Sequence, residues 1–317
     1  MTSHILAIAI GLLLDRLIGD PPNWPHPVRW IGIAVSKLTE RGNRPPQAFR
    51  NGFIMITVLS ATVFTTVLII VILANFIYPA FGIAIEAILI ASGLAKKSLK
   101  DAAEEVYEPL ANKDFMLARK KLSWIVGRDT ENLDEAEITR GVVETVSENT
   151  SDGVTAPLFW AFLLGAPGLW LYKTVNTCDS MVGYKNEQFQ KFGFASARLD
   201  DALNFIPSRI TGFLILLLTS NKRKLDLRQR FAEWLRDAPK HPSPNSGWLE
   251  AATAVQLGVQ LGGVNSYSGV TSVRAHMGTP VYKLEAHHIK EAVCHMHIAA
   301  TGFFILFAIG GILLELA

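Results

Sequence analysis

The stretch that decides the fold class is residues 51–95, NGFIMITVLSATVFTTVLIIVILANFIYPAFGIAIEAILIASGLA, in which 45 positions carry a single charged residue, Glu86. A helix of that length reaches roughly 67 Å, about twice the ~30 Å hydrocarbon core of a bilayer. A single crossing would not need a helix of this length, and Pro79 lies at a position where a helix would break. Helices of soluble proteins rarely run so long without charge, which argues against one long buried helix. The stretch therefore predicts two membrane spans, about 52–74 and 80–95.

The composition agrees with a membrane protein. Of 317 residues, 50% are hydrophobic and 18% are charged, the mean hydropathy is +0.27, and the formal net charge is +2. These values argue against disorder and against a basic nucleic-acid-binding domain, so no nucleic-acid partner is expected. The two cysteines, Cys178 and Cys294, form no disulfide framework and suit a reducing compartment. Basic clusters typical of a cytoplasmic membrane face follow two apolar stretches: Lys96, Lys97 and Lys100, and Lys222, Arg223 and Lys224.

Four further apolar segments predict spans. The first lacks the basic start and cleavage site of a signal peptide and is interpreted as a retained anchor or short span. The second is interrupted at Gly165 and Pro167, so a re-entrant helical hairpin fits as well as a span. The third contains Arg209, and an ionisable group at membrane depth usually faces a polar cavity. In chain order these segments cover about 1–18, 153–175, 202–221 and 298–316.

The intervening segments are polar. Apolar residues at helical spacing over 96–149 predict a helical cytosolic insertion of three amphipathic helices. Residues 222–297 are predicted to be a polar loop region, and no strand-like alternation of useful length is evident. The sequence thus predicts one membrane domain over 1–317. Its fold class is all-α: a polytopic integral membrane protein with cytosolic helical insertions and, as one alternative, a re-entrant helical hairpin.

Two polar blocks come from the first half of the chain. The prolines of D-R-L-I-G-D-P-P (15–22) and P-H-P-V-R (25–29) stiffen a loop that presents Asp20, His26 and Arg29; a plain helix-exit loop is the alternative. In V-G-R-D-T (126–130), Arg128 suits a phosphate. One helix later, Glu144 and Glu148 share a helical face, and with Asp152 they supply oxygen atoms suited to Mg²⁺; surface pairing of Arg140 with Glu144 is the alternative.

The densest block combines Y-K-T-V-N-T-C-D-S-M-V-G-Y-K (172–185) with R-L-D-D-A-L-N (198–204). Asp179, Asp200 and Asp201 suit a metal that bridges phosphate oxygens, and nearby cations would neutralise those phosphates. A purely structural ion network is the alternative. The cations are Lys173, Lys185, Arg198 and Arg209.

The last block, H-P-S-P-N-S-G (241–247), offers His241, Ser243 and Asn245 as ligand contacts on a proline-stiffened loop. Ser243 lacks the G-x-S-x-G surroundings of a nucleophile. The chain contains no Gly-Lys dipeptide, which excludes a P-loop, and no G-x-G-x-x-G fingerprint. Any nucleotide must therefore bind in another way.

Taken in order, these blocks resemble the adenosylcobinamide-phosphate synthase family of cobalamin biosynthesis, the membrane proteins of the CbiB or CobD type. The resemblance also rests on E-N-T-S-D-G-V-T-A-P-L-F (148–159) and covers roughly residues 15–275. It departs from the family pattern near its end, where Ala275 follows Arg274. The resemblance implies ATP-dependent amide formation between the carboxylate of adenosylcobyric acid and the amine of aminopropanol phosphate. The implied cofactors are Mg²⁺ and ATP, and the implied partners are a corrinoid, an amino-alcohol phosphate and the lipid bilayer.

The resemblance assigns roles to residues of these blocks. Metal binding falls to Asp152, Asp179, Asp200 and Asp201. Catalytic proton transfer falls to His241, His26 and Glu148. Substrate and phosphate binding falls to Arg29, Arg128, Asn149, Lys173, Asn176, Lys185, Arg198, Asn204, Arg209, Ser243 and Asn245.

Two other functions remain open from the sequence. One is a non-catalytic membrane signalling protein similar to the AmpE-like relatives of this family, and the other is a transporter, which broken helices would suit. The expected location is the inner (cytoplasmic) membrane, with the site facing the cytoplasm. The sequence implies no particular oligomeric state.

Overall fold

The computed structural model describes residues 2–21 and 24–316; Met1, in the predicted span 1–18, and Pro22, at the end of the first polar block, lie outside them. The fold is all-α, and the chain is a polytopic membrane protein, which confirms the predicted fold class. Within the described ranges, five segments are long and apolar enough to cross a membrane: Ala48–Ile77, Pro79–Ala111, Glu135–Val182, Phe194–Leu218 and His287–Leu316.

The helices are α1 (Thr2–Leu17), α2 (Pro27–Gly42), α3 (Ala48–Ile77), α4 (Pro79–Ala91), α5 (Lys96–Ala111), α6 (Phe115–Leu122), α7 (Glu135–Thr150), α8 (Ala156–Val182), α9 (Phe194–Leu218), α10 (Leu227–Asp237), α11 (Ser246–Leu257) and α12 (His287–Leu316). A π-helical turn (Ser151–Thr155) and a 3₁₀ turn (Ala238–Lys240) are also present. The strands are β1 (Leu261–Tyr267) and β2 (Val270–Met277).

The chain divides into two compact units. Unit 1 contains Met1–Lys97, Asp152–Asn204 and Leu306–Ala317, and unit 2 contains Ser98–Ser151 and Phe205–Ile305. In unit 1, α1 packs on α4, and α3 packs on α4 and α8. The outer face of α3 is apolar and exposed, as Phe76 illustrates with 89% exposure. Such a face is expected where lipid, not water, is the surrounding solvent.

Glu86, the single charge of residues 51–95, is buried in unit 1 but is hydrogen-bonded. Its Oε1 lies 2.8 Å from His4 Nδ1 and accepts the Ala166 backbone N–H at 3.1 Å. Ala166 follows a break in α8 at Gly165, where φ is +67°. A Cβ at that position would lie 2.5 Å from Glu86 Oε1, so the break requires glycine for two reasons. The broken helix thus supplies the donor that a carboxylate inside an apolar layer needs.

Residues 96–149, which belong to unit 2 from Ser98 onward, contain α5, α6 and α7, the three helices predicted there. Each buries its apolar stripe, for example Val106 on α5, Leu122 on α6 and Val142 on α7. A second apolar core includes Leu216, Trp234 and Met277, and its remaining buried members are Ile215, Ala238, Ala251, Ala252, Val255 and Ala299.

The prediction for 222–297 was wrong in two respects. This region is not a loop region, because α10 and α11 occupy much of it, and α10 begins with a capping box formed by Asp226 and Gln229. The expectation of no strands also fails, because β1 and β2 pair as an antiparallel hairpin. A register irregularity between Leu261 and Gly263 obscures the alternation of β1.

Candidate functional site

Unit 1 contains a polar cavity of about 310 Å³. Its walls come from the loop before α2, the turn between α4 and α5, and α8. Three predicted site residues line it: His26, Arg29 and Lys173, together with Asp20 of the first polar block. The structure therefore brings together side chains that lie more than 140 positions apart in the sequence.

His26 begins α2 and is held at both ring nitrogens. Nδ1 accepts the backbone N–H of Val28 at 3.3 Å, so the ring caps the helix. Nε2 lies 3.1 Å from Asp20 Oδ1. Because an accepting Nδ1 leaves the neutral ring's proton on Nε2, His26 donates to Asp20.

Lys173 is the cation at the centre of this region. The carboxylates that act most strongly on its ammonium group belong to Asp152, Asp20 and Asp200, in that order. Lys173 is only partly accessible and lines the cavity. Several carboxylates therefore act on the Lys173 ammonium group, as expected for a lysine that is not fully exposed to water.

A hydrogen-bonded network holds Asp200. Asn176 Nδ2 donates to Oδ1 at 3.1 Å, and Asn204 Nδ2 donates to Oδ2 at 3.0 Å. The Tyr172 hydroxyl in turn donates to Asn204 Oδ1 at 3.0 Å. Asp200, Asn204 and Tyr172 are all buried. Three predicted site residues, Asn176, Asp200 and Asn204, thus form one hydrogen-bonded group. Tyr172 also belongs to this group, although the sequence did not predict a role for it.

The four predicted metal ligands do not form a compact cluster. Within the part of the chain that the structure describes, no three of Asp152, Asp179, Asp200 and Asp201 hold oxygen atoms within 4.8 Å of one another, and the group that meets that distance is His287, His288 and Glu291. Asp201 lies 4.0 Å from the exposed guanidinium of Arg198. Lys185 is exposed. The metal role of the four aspartates remains a prediction.

Unit 2 contains a second polar group around the buried Glu144. Its Oε2 accepts from Arg128, and its Oε1 accepts the Gly262 N–H at 2.8 Å and lies 3.5 Å from Arg140. Arg128 also donates to Asn265 Oδ1. The predicted phosphate ligand Arg128 is therefore paired and buried, and it joins α7 to the hairpin. Such a pair is costly to break from one side.

Glu148, one turn after Glu144, is linked to the 241–247 loop. Its Oε1 accepts the Ser246 hydroxyl at 2.9 Å, and Ser246 Oγ lies 3.1 Å from Ser243 Oγ. Ser243 Oγ also accepts the backbone N–H groups of Asn245 and Ser246 at 3.3 Å. Three predicted residues, Glu148, Ser243 and Asn245, therefore meet at the start of α11.

His241 and Glu250 are buried beside this link. The Nε2 atom of His241 lies 3.5 Å from Glu250 Oε1. Burial, followed by the nearby carboxylates of Glu144 and Glu148, raises the pKa of Glu250 well above its ordinary value. Burial likewise lowers the pKa of His241, although Glu148 opposes the shift. The sequence did not predict a role for Glu250, because its immediate neighbours on α11, Trp248, Leu249, Ala251 and Ala252, are apolar or small.

Arg209 and Asn149 are engaged within their own surroundings. The Arg209 guanidinium donates to Phe205 O at 2.7 Å and to Asn245 Oδ1 at 3.3 Å, and it lies 3.5 Å from the Phe205 ring centroid and 4.7 Å from that of Trp248. Asn149 Nδ2 donates back along α7 to Thr145 O at 2.9 Å. The side chains of Arg209 and Asn149 therefore donate these hydrogen bonds to other groups of the protein.

Comparison with known proteins agrees with the resemblance. The CobD/Cbib protein family matches residues 8–296. Cobalamin biosynthesis protein CobD of Halalkalibacterium halodurans is 49% identical over 309 residues, covering 97% of this chain and 97% of that protein. Cobalamin biosynthesis protein CbiB of Salmonella paratyphi B is 43% identical over 307 residues, covering 96% of each. Cobalamin biosynthesis protein CobD of Clostridium perfringens is 45% identical over 286 residues, covering 89% of this chain and 90% of that protein. No solved structure matches the chain. With a family match over nearly its whole length and relatives well above 40% identity, the chain belongs to the CobD/CbiB family.

Proposed function

We propose that this protein acts in cobalamin biosynthesis as an adenosylcobinamide-phosphate synthase, an amide-forming ligase that joins adenosylcobyric acid to aminopropanol phosphate. Family membership and the names of the relatives support the pathway. The observation that carries the proposed reaction is the cavity of unit 1, which is lined by Lys173, Arg29 and Asp20. The carboxylates of Asp152 and Asp200 also act on the Lys173 ammonium group. Lysine and arginine side chains bind phosphate oxygens, and carboxylates bind the Mg²⁺ that accompanies the phosphate.

The reaction requires an activated carboxylate. A carboxylate oxygen attacks the γ-phosphorus of ATP, the bond to the bridging oxygen of ADP breaks, and an acyl phosphate forms. The amine nitrogen, after losing the proton of its ammonium form, attacks the acyl carbon to give a tetrahedral intermediate. Collapse of that intermediate expels phosphate, and the nitrogen loses a second proton. The products are the amide, ADP and inorganic phosphate.

The cavity of unit 1 fits the phosphate part of this reaction. A volume of about 310 Å³ is at the lower end for ligand sites and accommodates phosphate groups rather than a corrin ring. Lys173 and Arg29 would bind phosphate oxygens, Lys173 as a point charge and Arg29 through its planar guanidinium. The Lys173 ammonium, held among three acidic groups, would orient the γ-phosphate for attack.

The chemistry of the donors suits Mg²⁺, although, within residues 2–21 and 24–316, the carboxylate oxygens of Asp152, Asp20 and Asp200 do not all lie within 4.8 Å of one another. Asp152, Asp20 and Asp200 act on the same ammonium group, and carboxylate oxygens are the ligands that Mg²⁺ prefers. These residues would hold the ion, which when bound would neutralise charge on the phosphates of ATP. Asn176 and Asn204 fix Asp200 by donating to its two oxygens, so the carboxylate needs little reorganisation to act as a ligand.

Three residues are candidates for the group that accepts the proton of the amine: His26, Glu148 and His241. His26 and His241 each accept a backbone N–H at Nδ1. Each also faces a carboxylate from Nε2. Glu148 is partly exposed and accepts one hydroxyl hydrogen bond.

We further propose that the protein lies in the cytoplasmic membrane and that its active site faces the cytoplasm, where ATP is available. The basic group that follows α4 begins at Lys96, next to residues 92–95 of the cavity wall, and agrees with a cytoplasmic face there.

The test is product formation by the purified protein in detergent. Adenosylcobyric acid, aminopropanol phosphate, ATP and Mg²⁺ are supplied, and adenosylcobinamide phosphate is followed by mass spectrometry. Omitting ATP, Mg²⁺ or the amine one at a time should abolish the product and the release of ADP. Unphosphorylated aminopropanol, assayed in parallel, establishes which amine donor is used.

The matched control is the Lys173→Met protein, purified in the same way. It should remain folded and lose most of the product. Absence of any new corrinoid from the unsubstituted protein, with all four components present and the protein folded, would refute ligase activity and favour the signalling or transport function.

A further inference from the structure

Glu250 is a buried acid that the proposed chemistry does not use. It lies on α11 with 1% of its surface exposed. Within residues 2–21 and 24–316, neither of its carboxylate oxygens has a hydrogen-bond partner. Buried polar atoms without partners are uncommon and call for a physical explanation. A charged carboxylate in this position would pay a large desolvation cost, which a neutral carboxylic acid avoids.

The nearest titratable partner of Glu250 is His241. Its Nδ1 accepts the Ser243 backbone N–H at 3.0 Å, so the proton of the neutral ring is on Nε2. Nε2 is buried without a hydrogen-bond partner and faces Glu250 Oε1 across 3.5 Å. The imidazole therefore lies between the loop backbone on one side and the acid on the other.

The charges around Glu250 favour its neutral form. Glu144 and Glu148 on α7 both act against ionisation, whereas Arg274 on β2 and Arg128 before α7 act in its favour. Arg128 is already paired with Glu144, and Arg274 donates to the Tyr267 hydroxyl at 3.1 Å. Arg128 and Arg274 therefore do not offset burial and the two carboxylates, which together favour the neutral form of Glu250.

The loop that contains His241 carries the contact to Glu148. Gly247 allows its close approach to α11, because a Cβ at 247 would lie 2.2 Å from Ala238 O and 2.6 Å from His241 Cβ. From there Ser246 reaches Glu148 Oε1 at 2.9 Å. A displacement of the His241 ring would therefore move the segment that holds the Glu148 carboxylate.

We propose that Glu250 is a positioning residue: as a neutral acid beneath His241, it holds the loop 241–246 so that Ser246 keeps Glu148 in place. Ionisation of Glu250 places a third carboxylate beside Glu144 and Glu148 and loosens this loop. The inference rests on the proposed function for its activity measurement only. Its structural measurements can be made whether or not the ligase reaction is found.

The test compares Glu250→Gln with the unsubstituted protein in detergent. Glutamine keeps the shape but does not ionise. Because the folded pKa of Glu250 is raised from 4.5, the folded protein binds a proton that the unfolded chain has lost, so stability falls as pH rises from 4.5 through the folded pKa. The thermal midpoint of Glu250→Gln should therefore rise relative to that of the unsubstituted protein over this window. Hydrogen exchange of peptides from 238–250, corrected for intrinsic rates, should increase more steeply with pH in the unsubstituted protein.

Glu285→Gln is the matched control, because the Glu285 side chain is 63% exposed. It should follow the unsubstituted protein at every pH. Near pH 7, Glu250→Gln should keep activity within about threefold and Glu250→Ala should lose about tenfold or more. Parallel pH curves for Glu250→Gln and the unsubstituted protein would overturn the proposal. So would a folded but inactive Glu250→Gln beside an active unsubstituted protein, because Glu250 would then be needed as a titrating group.

Discussion

The side-chain amide of Asn204 donates a 3.0 Å hydrogen bond to Oδ2 of Asp200, one turn earlier on α9. Asn176, on α8, donates to the other carboxylate oxygen. Two amide donors, one on each oxygen, fix the orientation of the Asp200 carboxylate. Asp200, one of the four aspartates that were predicted to bind metal, is therefore held at both of its oxygens.

Asp200→Asn tests that view. The new amide group would face the amide donors of Asn176 or Asn204 and leave a buried donor unsatisfied, which costs about 1–3 kcal/mol. Because the negative charge is also lost, we expect ligase activity to fall by two orders of magnitude or more, about 3 kcal/mol in transition-state terms. Thermal unfolding and product formation in detergent measure the two effects separately.

Asp201→Asn is the control for Asp200→Asn, since Asp201 is the adjacent residue. Its side chain is 35% exposed and lies 4.0 Å from Arg198, so its substitution should change stability by less than about 0.5 kcal/mol. Equal loss of activity in the two variants would contradict the view that the hydrogen-bonded network selects the functional carboxylate.

Lys173→Met removes the cation of the unit 1 cavity. A hydrogen bond between charged groups is worth about 1.5–3 kcal/mol, which corresponds to roughly 10- to 150-fold in kcat/KM for ATP. The thioether retains the apolar stem, so the cavity should keep its shape. Steady-state kinetics with varied ATP measure the effect, and Lys191→Met, on an exposed turn, should leave kcat/KM for ATP unchanged within about twofold. A similar loss in both variants would argue against a specific role for Lys173.

The membrane helices were predictable from local sequence. An apolar layer without water forces the backbone into helices, so the uncharged residues 51–85 predict α3 and α4 with little need for tertiary information. The insertion 96–149 was predictable for a similar reason, because the helical spacing of Val106, Leu122 and Val142 marks the buried faces. Helix ends were less certain: α4 ends at Ala91 rather than near residue 95.

The hairpin and the buried acids were not predictable in the same way. In β1, Gly262 and Gly263 have φ of +83° and +91°, which interrupts the alternation that would reveal a strand. The Ser268-Gly269 dipeptide was the available turn signal. Glu144 accepts the Gly262 N–H, which lies 118 positions away in the sequence. The carboxylates that act on Glu250 belong to Glu144 and Glu148, which are also distant from it in the sequence. The sequence shows which residues are polar, whereas their pairing depends on tertiary structure.

Asp237 should control the acid stability of unit 2. Burial disfavours its charge, but hydrogen bonds from Arg236, Lys240 and the Gly278 N–H hold the pKa well below its ordinary 3.8. A depressed folded pKa gives stability that is present above pH 3.8 and is lost as pH falls through the folded value. Because Arg236 and Lys240 are exposed, solvent screens their share, and we expect Asp237→Asn to cost about 1–2 kcal/mol at pH 7.

Thermal unfolding between pH 3 and pH 7 measures this contribution. The difference between the unsubstituted protein and Asp237→Asn should be constant near neutral pH and should shrink below pH 3.8. Glu40→Gln, an exposed position on α2, is the control. A difference that persists undiminished to the lowest pH would show that the aspartate acts through packing and not through its charge.

Asp129 holds the turn of the hairpin. Its Oδ1 accepts the Ser268 N–H at 2.9 Å, and its Oδ2 accepts the Gly269 N–H at 2.8 Å. The Ser266 hydroxyl also donates to Oδ2 at 2.5 Å, and this bond is the main cause of the lowered pKa of Asp129. Asp129→Ala should therefore free these donors and increase hydrogen exchange in peptides covering 264–272. Exchange in peptides of α11 should stay unchanged, because its backbone bonds do not depend on the turn. Asp129→Asn keeps an acceptor oxygen and should give an intermediate effect. Exchange in 264–272 that does not respond to Asp129→Ala would mean that strand pairing alone, without this carboxylate, sets the turn.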